Sequence, residues 1–331
     1  MSKRRILVRV DGSKLIGLGH VYNMLTVLER FKKDDVLIVM RTKKSLGIEK
    51  FKKEKFNVKC FSKKDELKKI IEKFEPHLIF NDLLNTTVSY MKFLKKFNTL
   101  LINFEDLGRG RKYANLVFNP IYYSSSSKKE FFGHKYACVR SEFRKSKNKR
   151  VYKNVKKIVI TFGGTDPTNK TKNMIKIIND FKLTSIQFNF ILGLGYSHKK
   201  EIKKIAEKMN SDGYKINIIE KTDNISKYVK DCDFAITSNG RTVFELAAME
   251  IPMISIAVNQ REKQHSFVRY SKSGYHINSP LKLDSKKILF NFNKMTDVKN
   301  RKLFVENMKK ADLLHGIDRV SEKINKLSST N

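Results

Sequence analysis

The residue best placed to do chemistry is a histidine that follows a first β-strand. His20 closes the stretch Arg9-Val-Asp-Gly-Ser-Lys-Leu-Ile-Gly-Leu-Gly-His20. The apolar run Ile6 to Val10 reads as a strand, Gly17 and Gly19 as a loop, and His20 to Phe31 as an amphipathic helix. Open α/β sheets bind ligands at the carboxyl ends of their strands. Helix starts favour anions through their outward-pointing N–H groups. An unperturbed imidazole titrates near pH ~6.5, so it can act as a base at neutral pH. The plain alternative is a turn histidine satisfied by solvent. Asp11, two residues after Arg9, is placed to orient His20 or the loop, or simply to cap the turn.

The second half of the chain carries donor-rich turns. The segment Ile158-Val-Ile-Thr-Phe-Gly-Gly-Thr-Asp-Pro167 reads as a strand that ends at Gly163 and Gly164. Glycines there let backbone approach a ligand closely. Thr165 or Asp166 can cap the next helix, and Pro167 suits its first turn. Phosphate binding and a tight strand-to-helix turn explain this motif equally well.

A stronger signal is Thr237-Ser-Asn-Gly-Arg-Thr-Val-Phe-Glu245. A buried strand stops at Thr237. Ser238, Asn239 and Gly240 form a turn with open amides, and Arg241 and Thr242 add donors, which together make a pyrophosphate cradle. Glu245 falls one turn into the helix, where it can accept from ribose hydroxyls or simply favour the helix start. Val258-Asn-Gln-Arg-Glu262 follows the next strand at the same edge. Asn259 there orients a sugar or a water, or caps a helix, and Gln260 is a further polar ligand candidate.

These residues need a scaffold, and the chain alternates strand and helix patterns throughout. Strands are expected at Ile6–Val10, Val36–Met40, Val58–Phe61, Leu78–Asn81 and Thr99–Phe104, with helices such as Lys64–Phe74 and Val88–Phe97 between them. Such alternation predicts a parallel sheet covered on both faces. Leu107 to Asn154 reads as irregular, the end of one domain and a basic linker. A second cycle has strands at Lys157–Phe162, Gln187–Leu192, Ile216–Ile219, Phe234–Thr237 and Met253–Val258. Helices are expected at Lys170–Phe181, Lys199–Met209, Ile225–Lys230, Thr242–Met249 and Gln260–Ser271. The expected domains are 1–150, which carries the catalytic loop, 151–312, which binds nucleotide, and a C-terminal helix in 313–331 that packs back toward the first.

A length of 331 residues suits two domains, and 40% hydrophobic residues with 23 Phe supply their cores. The net charge of +36 would suit nucleic acid or an anionic membrane. The lysines, however, are spread along nearly every helical segment and interleaved with Glu, so nucleic acid is not an expected partner. No apolar run approaches the ~20 residues of a membrane span. Met-Ser-Lys-Arg-Arg leads directly into a strand without a signal-peptide core, so a cytoplasmic location is expected. Cys60, Cys138 and Cys232 have no paired spacing and read as buried structural thiols rather than disulfide or metal ligands.

Taken together, the His20 loop, the Gly163–Asp166 turn and the Ser238–Glu245 helix start resemble the PseG/SpsG family. Its best-known members are nucleotide-sugar hydrolases of pseudaminic acid biosynthesis, with a GT-B fold related to the MurG glycosyltransferase. Tyr136-Ala-Cys-Val-Arg-Ser-Glu-Phe143 and Glu105-Asp106-Leu107 are similar to further family segments. The resemblance covers most of residues 4–270. It implies a GT-B-type α/β fold, with two doubly wound Rossmann-like domains facing a central cleft.

It also implies hydrolysis of UDP-2,4-diacetamido-2,4,6-trideoxy-β-L-altrose. Water attacks the anomeric carbon and UDP leaves, with no metal and no cofactor. His20 then matches the base, Ser238–Thr242 the diphosphate site, Glu245 the ribose contact and Asn259 a contact to sugar or water. The chain departs from the family at Asn23, where members often carry Arg, and in the loosely matching Gly316-Ile-Asp-Arg319. A GT-B glycosyltransferase with the same UDP-sugar donor is the alternative. A non-catalytic binder of nucleotide-sugar or nucleic acid is a third reading. The oligomeric state is left open.

Overall fold

The computed structural model describes residues 3–13, 17–41, 45–146, 151–220, 222, 224–279 and 283–329. Residues 147–150 of the expected basic linker lie outside them. The chain divides into two compact units, Met1–Cys138 with His315–Asn331, and Val139–Leu314.

The first unit is built on β1 (Arg5–Val10), β2 (Asp35–Met40), β3 (Asn57–Cys60), β4 (Leu78–Asp82), β5 (Leu100–Phe104), β6 (Leu116–Asn119) and β7 (Glu130–Phe132). These strands pair in parallel in the order β3-β2-β1-β4-β5-β6-β7. A parallel sheet is covered on both faces, so its strands are apolar almost throughout. The side-chain period of two shows which face each residue serves. Ile6, Val8 and Val10 enter one core with Val21, Met24 and Val27 of the helix Gly19–Leu28. Leu7 enters the opposite core with Val39, Ile79 and Leu101.

The chain's last helix, Gly316–Ser329, belongs to this first unit. Ile317, Val320 and Ile324 fall on one helical face and join the core of Ile6 and Val8. Arg30 pairs with Asp318 at 2.6 Å and Arg319 donates to the Lys135 carbonyl at 3.0 Å. At Gly316 a Cβ would lie 2.0 Å from the Ala137 carbonyl oxygen, so only glycine fits.

The second unit holds β8 (Lys157–Thr161), β9 (Gln187–Ile191), β10 (Lys215–Ile219), β11 (Phe234–Ser238), β12 (Met253–Ile256) and β13 (Gly274–Ile277). They are parallel in the order β10-β9-β8-β11-β12-β13. In both sheets the strand order reverses beside the first strand, between β1 and β4 and between β8 and β11. That reversal leaves a crevice at the strands' carboxyl ends.

Three expectations are corrected. The region read as irregular contributes β6 and β7, and β13 extends the second sheet beyond the expected strands. The single helix expected at Gln260–Ser271 is a 3-10 turn, Glu262–Gln264, followed by a short helix, Phe267–Ser271, with extended backbone at His265 between them. Cys60 is half-buried, whereas Cys138 and Cys232 are buried, and all three are free thiols. No helix among the described residues is long and apolar enough to cross a membrane.

Candidate active site

In the first unit the crevice between β1 and β4 holds His20. The helix that follows β1 begins at Gly19, so His20 lies in its first turn, and Asn23 falls three residues on, on the same face. β4 ends at Asp82, opposite Val10 in register. Asp82 Oδ1 lies 2.6 Å from His20 Nδ1, and Asp82 Oδ2 accepts from Asn23 Nδ2 at 2.7 Å. All three side chains are buried. A carboxylate on Nδ1 fixes the neutral ring with its proton there, which makes Nε2 the basic nitrogen.

Asp11, expected to orient His20 or the loop, ties the end of β1 to the end of β2. It pairs with Arg9 at 2.6 Å and accepts from the Arg41 amide at 2.9 Å. The carboxylate on the imidazole is Asp82, which sequence reasoning missed. Its signal was an acid closing the apolar strand Leu78-Ile-Phe-Asn-Asp82. Gly17 takes φ +75° and bridges back to Ser13 ahead of the helix.

His20 and Asp82 open on a cavity of about 520 Å³, also lined by Arg9, Asp11, Arg41 and Tyr90. That volume lies within the range of small-molecule sites. The Arg9 guanidinium lies over the Phe61 ring at 5.0 Å. The Tyr90 hydroxyl donates to Asn81 at 2.8 Å, and its burial pushes the phenol well above its usual range. Beneath the cavity's loop, Asp106 accepts from the Thr86 amide at 2.9 Å and from Asn103 at 2.7 Å, which pins that wall to β5.

The fold also assembles a grouping invisible in the sequence. Ligand atoms of His20, Asp82 and Glu105 lie within 4.8 Å of one another, and Glu105 Oε2 is 3.9 Å from His20 Nδ1. Such a set could hold a divalent cation. Tetrahedral ligands at ~2.1 Å from an ion sit over about 3 Å apart. The 2.6 Å separation of His20 and Asp82 is therefore that of a hydrogen bond, and the pair would have to part to share an ion.

In the second unit the equivalent crevice gathers the donor-rich turns. Gly163 follows β8 with φ +76°, and a Cβ on it would lie 3.6 Å from Ser238 Oγ. A Cβ on Gly240 would lie at the same distance from that hydroxyl. Ser238 therefore joins the two turns. Gly164 is exposed and Thr165 half-buried. Asp166 accepts from the amides of Lys170 and Thr171, each at 2.8 Å, and so caps the helix Lys170–Asp180. Burial raises its carboxyl above the usual range despite those amides. Pro167 precedes that helix and is not in its first turn, because Asn169 is the N-cap.

The Asn239 amide is committed rather than open: it donates to Ile256 O at 3.1 Å and to Glu262 Oε2 at 3.0 Å. The amides of Gly240 and Thr242 have no acceptor among the described residues. Arg241 is half-buried at the helix start. Glu245 Oε1 accepts from Arg140 Nε at 2.6 Å, which leaves the other oxygen for a ligand. Asn259 takes the capping role, accepting from the Glu262 amide at 2.9 Å, and Gln260 is exposed beside it. Glu262 and Arg140 were not singled out from the sequence. Glu262 was visible only as one member of a polar run.

Residues 158–277 match the Glycosyltransferase family 28 C-terminal domain, a span that runs from β8 to the end of β13. Acinetobacter baumannii MurG superposes with a TM-score of 0.68 at 11% identity, covering 98% of this chain and 99% of that one. The fold is GT-B. Anabaena Alr3699/HepE in complex with UDP-glucose superposes with a TM-score of 0.58 at 12% identity over 98% of this chain and 100% of the other.

Among curated relatives, an uncharacterized protein of Methanocaldococcus jannaschii is 29% identical over 84% of this chain, which spans 60% of that protein's length. The spore coat polysaccharide biosynthesis protein SpsG of Bacillus subtilis is 22% identical over 75% of each chain.

Proposed function

We propose that this GT-B chain processes a nucleotide-sugar. It hydrolyses a UDP-linked amino sugar at the anomeric carbon in the biosynthesis of a nonulosonic acid or surface polysaccharide. The diacetamido-trideoxy sugar implied by the resemblance to PseG/SpsG is the specific substrate proposed. The observation that carries the reading is the His20–Asp82–Asn23 arrangement opening on a cavity. A base buttressed by a carboxylate is what activation of water requires. The likeness to SpsG, a polysaccharide biosynthesis protein, supports the pathway class.

In this mechanism His20 Nε2 takes a proton from water as the oxygen attacks the anomeric carbon. Asp82 stabilises the imidazolium that forms. The bond from the anomeric carbon to the diphosphate oxygen breaks, and UDP leaves with its electron pair. The amides of Gly240 and Thr242, with Arg241, meet the charge that develops on the diphosphate. The free oxygen of Glu245 takes the ribose. The match to the family 28 domain and the likeness to MurG favour transfer to an acceptor as a second reading. His20 would then deprotonate an acceptor hydroxyl instead of water.

Incubating the pure protein with UDP-amino sugars and no acceptor separates the two. UDP and free sugar in equal amounts support hydrolysis. Release only when an acceptor is added supports transfer.

A further inference from the structure

Glu262 is a carboxyl group in an unexpected place. The Ser238–Thr242 turn is the part of the second unit assigned above to a diphosphate, yet an acid is built into it. Glu262 Oε2 accepts from the Asn239 amide at 3.0 Å and the Val258 amide at 3.1 Å, so it ties the end of β11 to the end of β12. Its backbone is fixed as well: the carbonyl accepts from Asn239 Nδ2 at 2.8 Å and the amide donates to Asn259. Its other oxygen, Oε1, would lie 3.3 Å from a Cβ on Gly240. The carboxyl group therefore packs directly against the residue whose amide is offered to the ligand. Two anions cannot share such a place without loss of affinity, unless one of them is neutralised.

We propose that Glu262 is a positioning residue of the nucleotide turn, and that its carboxyl group takes up a proton from solvent when a diphosphate is seated there. Affinity for a nucleoside diphosphate then rises as pH falls. This inference rests on the assignment of Ser238–Thr242 to the diphosphate. Arg241 lies on the turn, Arg261 and Lys263 lie beside Glu262 on its own segment, and His265 closes that segment with Nδ1 2.6 Å from the Asn239 carbonyl oxygen. Burial holds the Glu262 carboxyl at about 7, inside the range where binding is readily measured, even though the two amides favour its ionised form.

The test is calorimetric titration of the full chain with UDP-glucose between pH 6 and 8.5. The diphosphate diester of this probe does not itself titrate in that range. One linked proton weakens binding by up to about tenfold per pH unit above the carboxyl's own pKa. The dissociation constant is expected to rise roughly tenfold from pH 7 to 8.5. Repeating the titration at pH 7.5 in buffers of different ionisation enthalpy should show net proton uptake, which needs no variant. In Glu262→Gln the pH dependence should flatten to less than about twofold.

Binding without proton uptake overturns the inference and leaves the functional reading intact. A pH dependence that persists in Glu262→Gln places the proton on another group and also overturns it. Absence of binding by UDP-glucose at every pH defeats the diphosphate assignment and this inference with it.

Discussion

Replacing Asp82 with Asn probes the buttressed base most sharply. Asp82 is only 1% exposed and serves two donors at once, His20 Nδ1–H and Asn23 Nδ2. An asparagine has one acceptor oxygen for those two donors, and its own NH2 must face one of them. A buried donor left unsatisfied costs about 1–3 kcal/mol. The charge that stabilises the imidazolium is also removed, and losses of ~10²–10⁴ in turnover are the scale for a misoriented, uncharged base partner. At about 1.4 kcal/mol per tenfold, that range corresponds to roughly 3–5 kcal/mol in the barrier.

The assay is UDP release from a UDP-amino sugar, with thermal melting as the fold control. Turnover within threefold of wild type in Asp82→Asn would refute the argument.

Further outcomes follow from other contacts. Gly316→Ala drives a Cβ into the Ala137 backbone at 2.0 Å, and overpacking against backbone is expected to cost about 3 kcal/mol or more. Unchanged melting would show that the last helix is not seated as described. Chelation should leave turnover unchanged, since His20 and Asp82 satisfy each other at hydrogen-bond distance. Loss on EDTA treatment, restored by a divalent ion, would make His20, Asp82 and Glu105 ligands instead.

Glu262 also shapes stability against pH. Its carboxyl is held at about 7 in the folded chain against an ordinary 4.5, so between those values the folded state binds the extra proton. Its contribution is complete below pH 4.5 and lost as pH rises to 7. Allowing for its partial exposure, that loss is on the order of 1–2 kcal/mol. Glu262→Gln should remove the slope in a denaturant titration, and an unchanged slope would count against the burial argument. Glu245→Ala should weaken UDP binding more than turnover. A change in turnover alone would contradict the ribose role.

Much of the scaffold was legible because parallel strands buried on both faces read as nearly continuous apolar runs. Ile6 to Val10 and Phe234 to Thr237 are examples, and the glycines after them mark where each chain leaves its sheet. β6 and β7 were not legible. Their four and three residues lie among Asn119-Pro120 and the serines at 124–127, too short for a period to show. The turn at Glu262–Gln264 broke an expected helix because Asn239 and Glu262 bond across sequence, and no local pattern records such a contact.

The same limit explains the sites. His20 and Gly163 could be read because each follows its own strand, and Ser238 because it closes one. Asp82 pairs with His20 across 62 residues and Arg140 with Glu245 across 105, so only the assembled sheet reveals them.

The most direct measurement is acceptor-free UDP release by the wild-type chain and by His20→Ala, at saturating UDP-amino sugar and equal UDP occupancy. Wild type should release UDP and sugar one for one, and His20→Ala should keep UDP binding but lose at least about two orders of magnitude in rate. Equal rates in the two proteins would remove His20 as the base, and with it the proposed chemistry.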